Sequence, residues 1–350
     1  MLWSRCWPQS SLICRRSQRQ HVHKLHAWVE RMWWRQNRPP LLLRMLEPAY
    51  AAVSRRHLSR RAAAVIDPPI AMVSVGNITA GGSGKTPFVL WLATALKQRG
   101  YSPVILCRGD GGKSTLPAVV DMHAQAAVVG DEACMLARSA PCPVITAKDR
   151  IAGSRLAAGL GDLLILDDGF QYRQLGRCCD IVLVPAEGIG NGHQIPAGPL
   201  REPVAALLRA DLIIRTSNRP QQQSQPVSAG KEWRWLARAG ELLDMHQTGE
   251  VVPVQICAAT AIARPQRFFD DLKAKGITLR SMKTWPDHYR FSNQDVLDLL
   301  AMNMPVVVTA KDAVKLLPLW PAERALWAVP QHGEAETGLL DAIIRHLPGR

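Results

Sequence analysis

The sequence predicts the α/β class: a mostly parallel sheet with flanking helices, followed by a second, smaller α/β domain. Two observations predict this. Apolar runs of strand length alternate with segments of helical periodicity along most of the chain. Residues 163–166 are apolar at every position, which is typical of a central parallel strand buried on both faces. We expect the first domain to span residues 67–216 and the second to span 217–350, with the last helix able to return to the first domain.

The first chemical motif lies within residues 70–96. A buried strand precedes, and an amphipathic helix follows, the run Gly81-Gly82-Ser83-Gly84-Lys85-Thr86. A glycine-rich loop can turn backbone N–H groups toward an anion, Lys85 can reach the outer phosphates, and Thr86 is placed to hold Mg²⁺. The strict motif has glycine where Thr79 stands, so the match covers only its final part. A chance match in a surface turn is the alternative, but the flanking strand and helix favour a phosphate-loop NTPase-type fold.

An acidic pair, Asp167 and Asp168, directly follows the apolar run 163–166. The carboxyl ends of parallel strands face the ligand crevice, and acids at this position hold Mg²⁺ beside bound phosphates. A strand that ends in acids by accident is the alternative. The combination with Lys85 and Thr86 favours a nucleotide and metal site.

Three other segments carry charges whose roles the residues alone leave open. Arg108 and Lys113 flank a glycine-rich loop after the second strand, where they could contact phosphates or simply be solvated. Asp131 falls in a predicted first helical turn, where acids are favoured by the helix dipole without any catalytic role. His288 stands between Asp287 and Tyr289 and could be an ordinary turn histidine.

Composition and charge exclude several classes of protein. The chain has 350 residues, 47% of them apolar, which argues against disorder. Residues 1–61 hold thirteen Lys or Arg and two acids, and thus 11 of the 14 net positive charges. No apolar run approaches the ~20 residues that span a bilayer, and the opening is too basic for a secretory signal. We interpret residues 1–40 as a basic N-terminal extension.

Residues 41–66 are predicted to form an amphipathic helix. Apolar residues recur at helical spacing, with arginines around and after them. Such a helix suits the surface of an anionic membrane. An ordinary helix that packs on the domain and has a solvated basic end is an equally good interpretation of the residues alone.

Together the motifs resemble those of one family, the tetraacyldisaccharide 4'-kinases, over about residues 33–347. Six segments in this order carry the resemblance: Val75-Gly76-Asn77-Ile78-Thr79-Ala80-Gly81-Gly82-Ser83-Gly84-Lys85-Thr86-Pro87, Val129-Gly130-Asp131-Glu132, Asp167-Asp168-Gly169-Phe170-Gln171, Pro196-Ala197-Gly198-Pro199-Leu200-Arg201-Glu202, Pro286-Asp287-His288-Tyr289 and Lys311-Asp312-Ala313-Val314-Lys315. Three positions depart from the family's usual residues: Asp110 for an aromatic residue, Tyr172 for His and Ala310 for Glu.

The resemblance implies transfer of the γ-phosphate of ATP to the 4'-hydroxyl of a tetraacylated glucosamine disaccharide 1-phosphate, a lipid A precursor, with Mg²⁺ as the metal. It implies that Asp131, polarised by His288, accepts the proton of that hydroxyl. The other implied site residues form three sets: for ATP, Gly81, Gly82, Ser83, Gly84, Lys85, Thr86 and Gln171; for the metal, Thr86, Asp167 and Asp168; for the substrate, Arg108, Lys113, Asn191 and Arg201.

The resemblance also implies a peripheral protein on the cytoplasmic face of the bacterial inner membrane, with the glycolipid and the membrane surface as partners. Two other functions remain open. A phosphate-loop switch with a protein partner would keep Lys85, Thr86 and Asp167 but would not need Asp131 with His288. Nucleic-acid binding through the basic N-terminus is the third interpretation, and no recognisable motif supports it, so we expect no nucleic acid.

Overall fold

The computed structural model describes residues 28–34, 38–217, 227, 230, 232–287 and 289–349. Most of the predicted N-terminal extension, and His288, therefore lie outside the described residues. The strands are β1 (Ala71–Gly76), β2 (Pro103–Cys107), β3 (Ala118–Val119), β4 (Val144–Thr146), β5 (Leu163–Asp167), β6 (Cys179–Val184), β7 (Leu212–Ser217), β8 (Glu232–Ala239), β9 (Leu243–Asp244), β10 (Gln255–Thr260), β11 (Thr278–Thr284), β12 (Val306–Thr309), β13 (Trp327–Val329) and β14 (Gln331–Ala335). The α-helices with named bounds are α1 (Leu41–Ala62), α2 (Lys85–Gln98), α3 (Ala126–Val129), α4 (Asp131–Ser139), α5 (Arg150–Ala157), α6 (Pro265–Ala274), α7 (Asn293–Leu300), α8 (Ala310–Leu316) and α9 (Leu339–Ile344).

The strands form two sheets. The first has nine strands in the order β14-β8-β7-β6-β1-β5-β2-β4-β3, and the second has five in the order β11-β10-β12-β13-β9. Pairing is parallel except for the edge strands β14, β3 and β9. This arrangement confirms the predicted fold class, a mostly parallel α/β architecture with flanking helices.

The first sheet contains strands from both ends of the chain. β8 and β14 come after residue 217, yet β8 pairs in parallel with β7, and β14 pairs with β8. α9 also returns to this sheet, where Leu339 and Ile343 share one core with residues of α2. The division into two domains near residue 217 stays a prediction, and these strand pairings cross it.

The centre of the first sheet explains why the site forms at its carboxyl edge. β1 lies between β5 and β6, and every residue of β5 is buried. Apolar residues on both faces of these strands pack under α2 on one side and α5 on the other. Because β1 and β5 are parallel neighbours, Val75 pairs with Asp167. The segments that follow the two strands therefore begin side by side.

Trp235 of β8 lies beneath the glycine-rich loop. Its side chain is fully buried and makes an edge contact with Phe88 of α2, with ring centroids 5.8 Å apart. A Cβ added at Gly84 would stand 3.7 Å from this indole, and a Cβ added at Gly333 of β14 would overlap it. Glycine at position 333 thus leaves the room that the tryptophan occupies.

The segment predicted as a surface helix forms α1, and its apolar residues point away from the rest of the chain. Leu42 and Met45 are each 69% exposed and Val53 is 71% exposed, whereas Leu58 is buried. No helix among the described residues has the length and apolar content needed to cross a membrane.

The contact between Gly333 and Trp235 yields the first prediction. Replacing Gly333→Ala should lower the free energy of unfolding by about 1–3 kcal/mol, because the new methyl group meets the buried indole ring. Urea denaturation followed by tryptophan fluorescence measures this. Gly159→Ala is the matched control, since the nearest heavy atom to its new Cβ is 3.9 Å away. Equal stability of the two variants would show that the ring moves aside at no cost.

Candidate active site

One cavity of about 710 Å³ lies between the two sheets. On the side of the first sheet it is lined by the glycine-rich loop and by the acidic pair after β5. On the side of the second sheet it is lined by the loop before α6, by Asp287 and by the start of α8. Of the predicted residues, these line the cavity: Gly81, Gly82, Ser83, Gly84, Lys85, Thr86, Asp167, Asp168, Arg108 and Arg201.

The glycine-rich loop is held in shape by buried polar contacts. Asn77 Nδ2 donates to Ser83 Oγ at 2.9 Å, and Thr216 Oγ1 donates to Ser83 O at 3.1 Å. Gly81 and Gly84 have φ of 95° and 78°, which residues with a side chain rarely adopt. The loop thereby delivers the N-terminus of α2, with its positive dipole end, to the cavity.

Asp168 lies between two cations. Lys85 Nζ is 3.2 Å from its Oδ1, and Arg201 Nη1 donates to both carboxylate oxygens at 3.1 Å. Burial alone would raise the pKa of Asp168, but Lys85 and Arg201 outweigh it and hold that pKa below its ordinary value. Asp168 therefore stays ionised and ties the glycine-rich loop to the segment that carries Arg201.

Asp167 has different surroundings. It is 4% exposed, and its Oδ1 is buried without a hydrogen-bond partner among the described residues. Burial and the neighbouring Glu132 carboxylate raise the pKa of Asp167 to about 7. A buried carboxylate oxygen of this kind, beside Thr86 and Asp168, matches the hard oxygen donors that Mg²⁺ prefers. These three predicted metal residues therefore fit the ion chemically.

Asp131 starts α4 and is buried; it does not itself line the cavity, whereas its neighbour Glu132 does. Lys311 Nζ of α8 lies 3.5 Å from Glu132 Oε1 and 3.2 Å from Asp287 Oδ1. A cation of a helix beside the second sheet thus pairs with a carboxylate of α4, beside the first sheet. Burial acts to lower the pKa of Lys311, but Glu132, Asp287 and Asp131 together raise it. His288, the predicted partner of Asp131, lies outside the described residues, although Asp287 just before it lines the cavity.

The comparisons with known proteins agree with this geometry. The family model described as Tetraacyldisaccharide-1-P 4'-kinase, LpxK, matches residues 40–348. This chain belongs to that family. The tetraacyldisaccharide 4'-kinase of Dechloromonas aromatica (strain RCB) is 32% identical over 337 residues, which cover 93% of this chain and 99% of the relative. That of Thiobacillus denitrificans is 36% identical over 330 residues, covering 86% and 94%.

A solved structure supports the same assignment. The "apo" form of LpxK from Aquifex aeolicus in complex with ATP matches with a TM-score of 0.71 and 26% identity, covering 87% of this chain and 98% of that one. The predicted family is therefore confirmed. So is the predicted class of enzyme, a kinase of lipid A biosynthesis.

The predicted substrate residues of this LpxK family member occupy different surroundings. Arg108 pairs with Asp110 at 3.2 Å, so the unusual acid has a local cationic partner. Lys113 is exposed and does not line the cavity. Asn191 uses its side chain to hold its own loop and residues 28–34: Nδ2 donates to Ala197 O at 2.9 Å and to Met32 O at 3.3 Å, and Oδ1 accepts from His193 N at 3.1 Å. Arg201 alone among the four contacts a predicted metal ligand.

Gln171, predicted for ATP, contacts the back of the loop. Its Nε2 donates to Asn77 O at 2.9 Å and to Glu202 Oε1 at 3.1 Å. It does not line the cavity. The structure thus gives Gln171 a supporting position beneath the glycine-rich loop, and its contact with ATP stays a prediction.

Sequence reasoning missed several residues at the site. Lys311 belongs to one of the family's sequence motifs, but the sequence alone assigns it no role. Its contact with Glu132 depends on the packing of α8 against α4. Arg264, before α6, lines the cavity, and its Nη2 lies 3.8 Å from the position of a Cβ added at Gly81. No local pattern marks Arg264. Of the other departures, Ala310 lines the cavity, and the ring of Tyr172 contacts the guanidinium groups of Arg61 and Arg150, at 5.1 and 5.0 Å from its centroid.

Proposed function

We propose that this LpxK family member transfers the γ-phosphate of ATP to the 4'-hydroxyl of a tetraacylated glucosamine disaccharide 1-phosphate. The observation that carries the proposal is the single cavity in which the phosphate loop, the acidic pair and residues of the second sheet meet. Phosphoryl transfer depends mainly on positioning and on charge neutralisation, and a cavity between two sheets supplies both.

The first sheet would bind the nucleotide. Backbone N–H groups of residues 81–86 and the N-terminus of α2 can surround phosphate oxygens, and Lys85 adds a positive charge to the same cavity wall. Thr86, Asp167 and Asp168 would hold Mg²⁺, which when bound neutralises charge on the phosphates. Arg201 keeps the Asp168 carboxylate ionised and oriented toward this place.

The acceptor hydroxyl would approach from the side of α4. We propose that Asp131 takes the proton of the 4'-hydroxyl and that His288 polarises Asp131. The burial of Asp131 at the start of α4, beside the cavity residue Glu132, supports this role. A carboxylate near the attacking oxygen is a sufficient base for phosphoryl transfer.

Replacing Asp131→Asn tests the assigned base. Transfer to the lipid acceptor should fall by at least about 100-fold, because the amide cannot accept the proton, while ATP binding stays unchanged. Transfer of labelled phosphate and equilibrium binding of ATP measure the two effects separately. Asp298→Asn, in the exposed part of α7, removes one carboxylate elsewhere and should alter neither. Full transfer activity of the Asp131 variant would exclude Asp131 as the base.

We further propose that α1 lies on the cytoplasmic face of the inner membrane, where ATP and the glycolipid meet. The outward apolar residues Leu41, Leu42, Met45, Leu46 and Val53, together with the basic residues at the end of the helix, support this orientation. An apolar face in the acyl boundary with cations near anionic headgroups is the usual arrangement of an interfacial helix.

Replacing Met45→Glu tests the membrane helix. Affinity for anionic phospholipid vesicles should fall by at least about tenfold, because burial of such a side chain contributes about 1.5–3 kcal/mol. Vesicle sedimentation measures it. Leu208→Glu is the matched control: Leu208 is 87% exposed but lies outside α1. Equal binding by both variants and the unaltered protein would mean that α1 does not contact the bilayer.

A further inference from the structure

The face of α1 that is turned toward the rest of the chain carries both polar and apolar residues. Its partly or fully buried positions recur at helical spacing: Leu43, Glu47, Tyr50, Ala51, Ser54, Leu58, Arg61 and Ala62. Apart from Leu43 and Leu58, the long apolar side chains of this helix are exposed. Hydrogen bonds of Glu47, Tyr50 and Ser54 therefore help to fix α1 on the rest of the chain, together with the apolar contacts of its inner face.

We infer that α1 is a positioning element for the reaction. Tyr50 and Glu47 fix the position of the segment 193–201, and through the side chain of Arg201 they fix the orientation of the Asp168 carboxylate. The inference rests on the proposed function and adds to it a link between the membrane-facing helix and the phosphate site. Tyr50 and Glu47 are positioning residues, because their side chains bind backbone groups of the segment 193–201 and act on the site only through Arg201.

Glu47 holds the beginning of this segment. Its Oε1 accepts from Gln194 N at 2.6 Å, and its Oε2 lies 2.8 Å from His193 Nδ1. The same segment contacts helical residues 28–34, where Trp33 Nε1 donates to Pro196 O at 3.2 Å. Both N-terminal helical segments thus contact one loop.

Tyr50 holds the end of the segment. Its hydroxyl donates to Arg201 O at 3.3 Å, and Ser54 Oγ is 3.5 Å from the same carbonyl. The backbone of Arg201 is fixed from the other side as well, since Arg201 N donates to Ile78 O at 2.7 Å, just before the glycine-rich loop. The backbone of Arg201 is therefore hydrogen-bonded to α1 through its carbonyl and to the residue Ile78 through its N–H.

The side chain of Arg201 carries this constraint to the site. Its Nη1 donates to both oxygens of Asp168 at 3.1 Å. A shift of the Arg201 backbone would move the guanidinium away from the carboxylate that Lys85 also contacts. At its other end, α1 places Arg61 against the ring of Tyr172, at 5.1 Å, four residues after Asp168. α1 thus contacts two segments close to Asp168: the one that carries its partner Arg201 and the one that follows Asp168 in the chain.

The physical consequence is a coupling between surface attachment and catalysis. A helix whose outer face is immersed in a bilayer is fixed in orientation by the lipid as well as by its own hydrogen bonds. The orientation that α1 adopts then determines where Arg201 directs Asp168. Loss of one neutral hydrogen bond weakens such positioning by about 1 kcal/mol, so a modest change of rate is expected.

Tyr50→Phe removes the hydroxyl and leaves the ring. We expect kcat for transfer to the glycolipid to fall about 3- to 10-fold. The Mg²⁺ concentration for half-maximal rate should rise, while KM for the glycolipid and vesicle affinity stay unchanged. Ser59→Ala is the matched control, because it deletes an exposed hydroxyl from the same helix and should change none of these values. Glu47→Ala should act in the same direction as Tyr50→Phe.

A double-mutant cycle separates positioning from simple loss of structure. If Tyr50 acts through Arg201, then Tyr50→Phe should have no further effect on kcat in the Arg201→Gln background. Additive effects of the two substitutions, an unchanged kcat for Tyr50→Phe, or a fall in vesicle affinity that accounts for the whole loss would each overturn the inference. An unaltered protein that transfers no phosphate to the glycolipid would instead refute the proposed function, and the two failures are therefore distinguishable.

Discussion

The contact of Asp168 with Lys85 and Arg201 is the interaction on which the rest of the site depends. One carboxylate joins three segments that are distant in sequence: the phosphate loop, the end of β5 and the loop before the 3₁₀ helix Val204–Arg209. Two cations keep this carboxylate ionised, whereas Asp167 beside it is buried and has a raised pKa. The pKa values of these two adjacent acids therefore shift in opposite directions, because their surroundings differ. Such a pair can hold a divalent cation while the loop stays fixed.

The second sheet completes a site that the first sheet begins. Lys311 and Asp287 bring charges of the second sheet to Glu132, and Arg264 reaches the neighbourhood of Gly81. Arg264 in turn pairs with Glu187, in the segment after β6, at 2.8 Å. The pairs Lys311–Glu132 and Arg264–Glu187 thus join the segments around the two sheets at two separate places. Groups that act on a transferred phosphate must be positioned together, and a cavity bounded by both sheets provides this.

Local patterns predicted much of this molecule. The phosphate loop and the acidic pair are recognisable because their chemistry needs particular residues at short spacing, and the apolar run 163–166 indicates a central strand. Pairing between distant segments was not predictable. Neither the entry of β8 and β14 into the first sheet nor the partner of Arg201 follows from any local spacing. The apolar stripe of α1 was predicted as a helix, but only its outward orientation distinguishes a surface helix from a core helix.

The central claim is transfer of phosphate to one hydroxyl of the glycolipid at the phosphate-loop cavity. The most direct measurement is incubation with γ-labelled ATP, Mg²⁺ and a tetraacylated glucosamine disaccharide 1-phosphate in detergent micelles, followed by NMR assignment of the new phosphate ester. Lys85→Met, which removes the cation of the loop, is the matched comparison. The account predicts a labelled monoester at the 4' position with the unaltered protein and none with the variant. Release of labelled inorganic phosphate alone, or an ester at another hydroxyl, would contradict it.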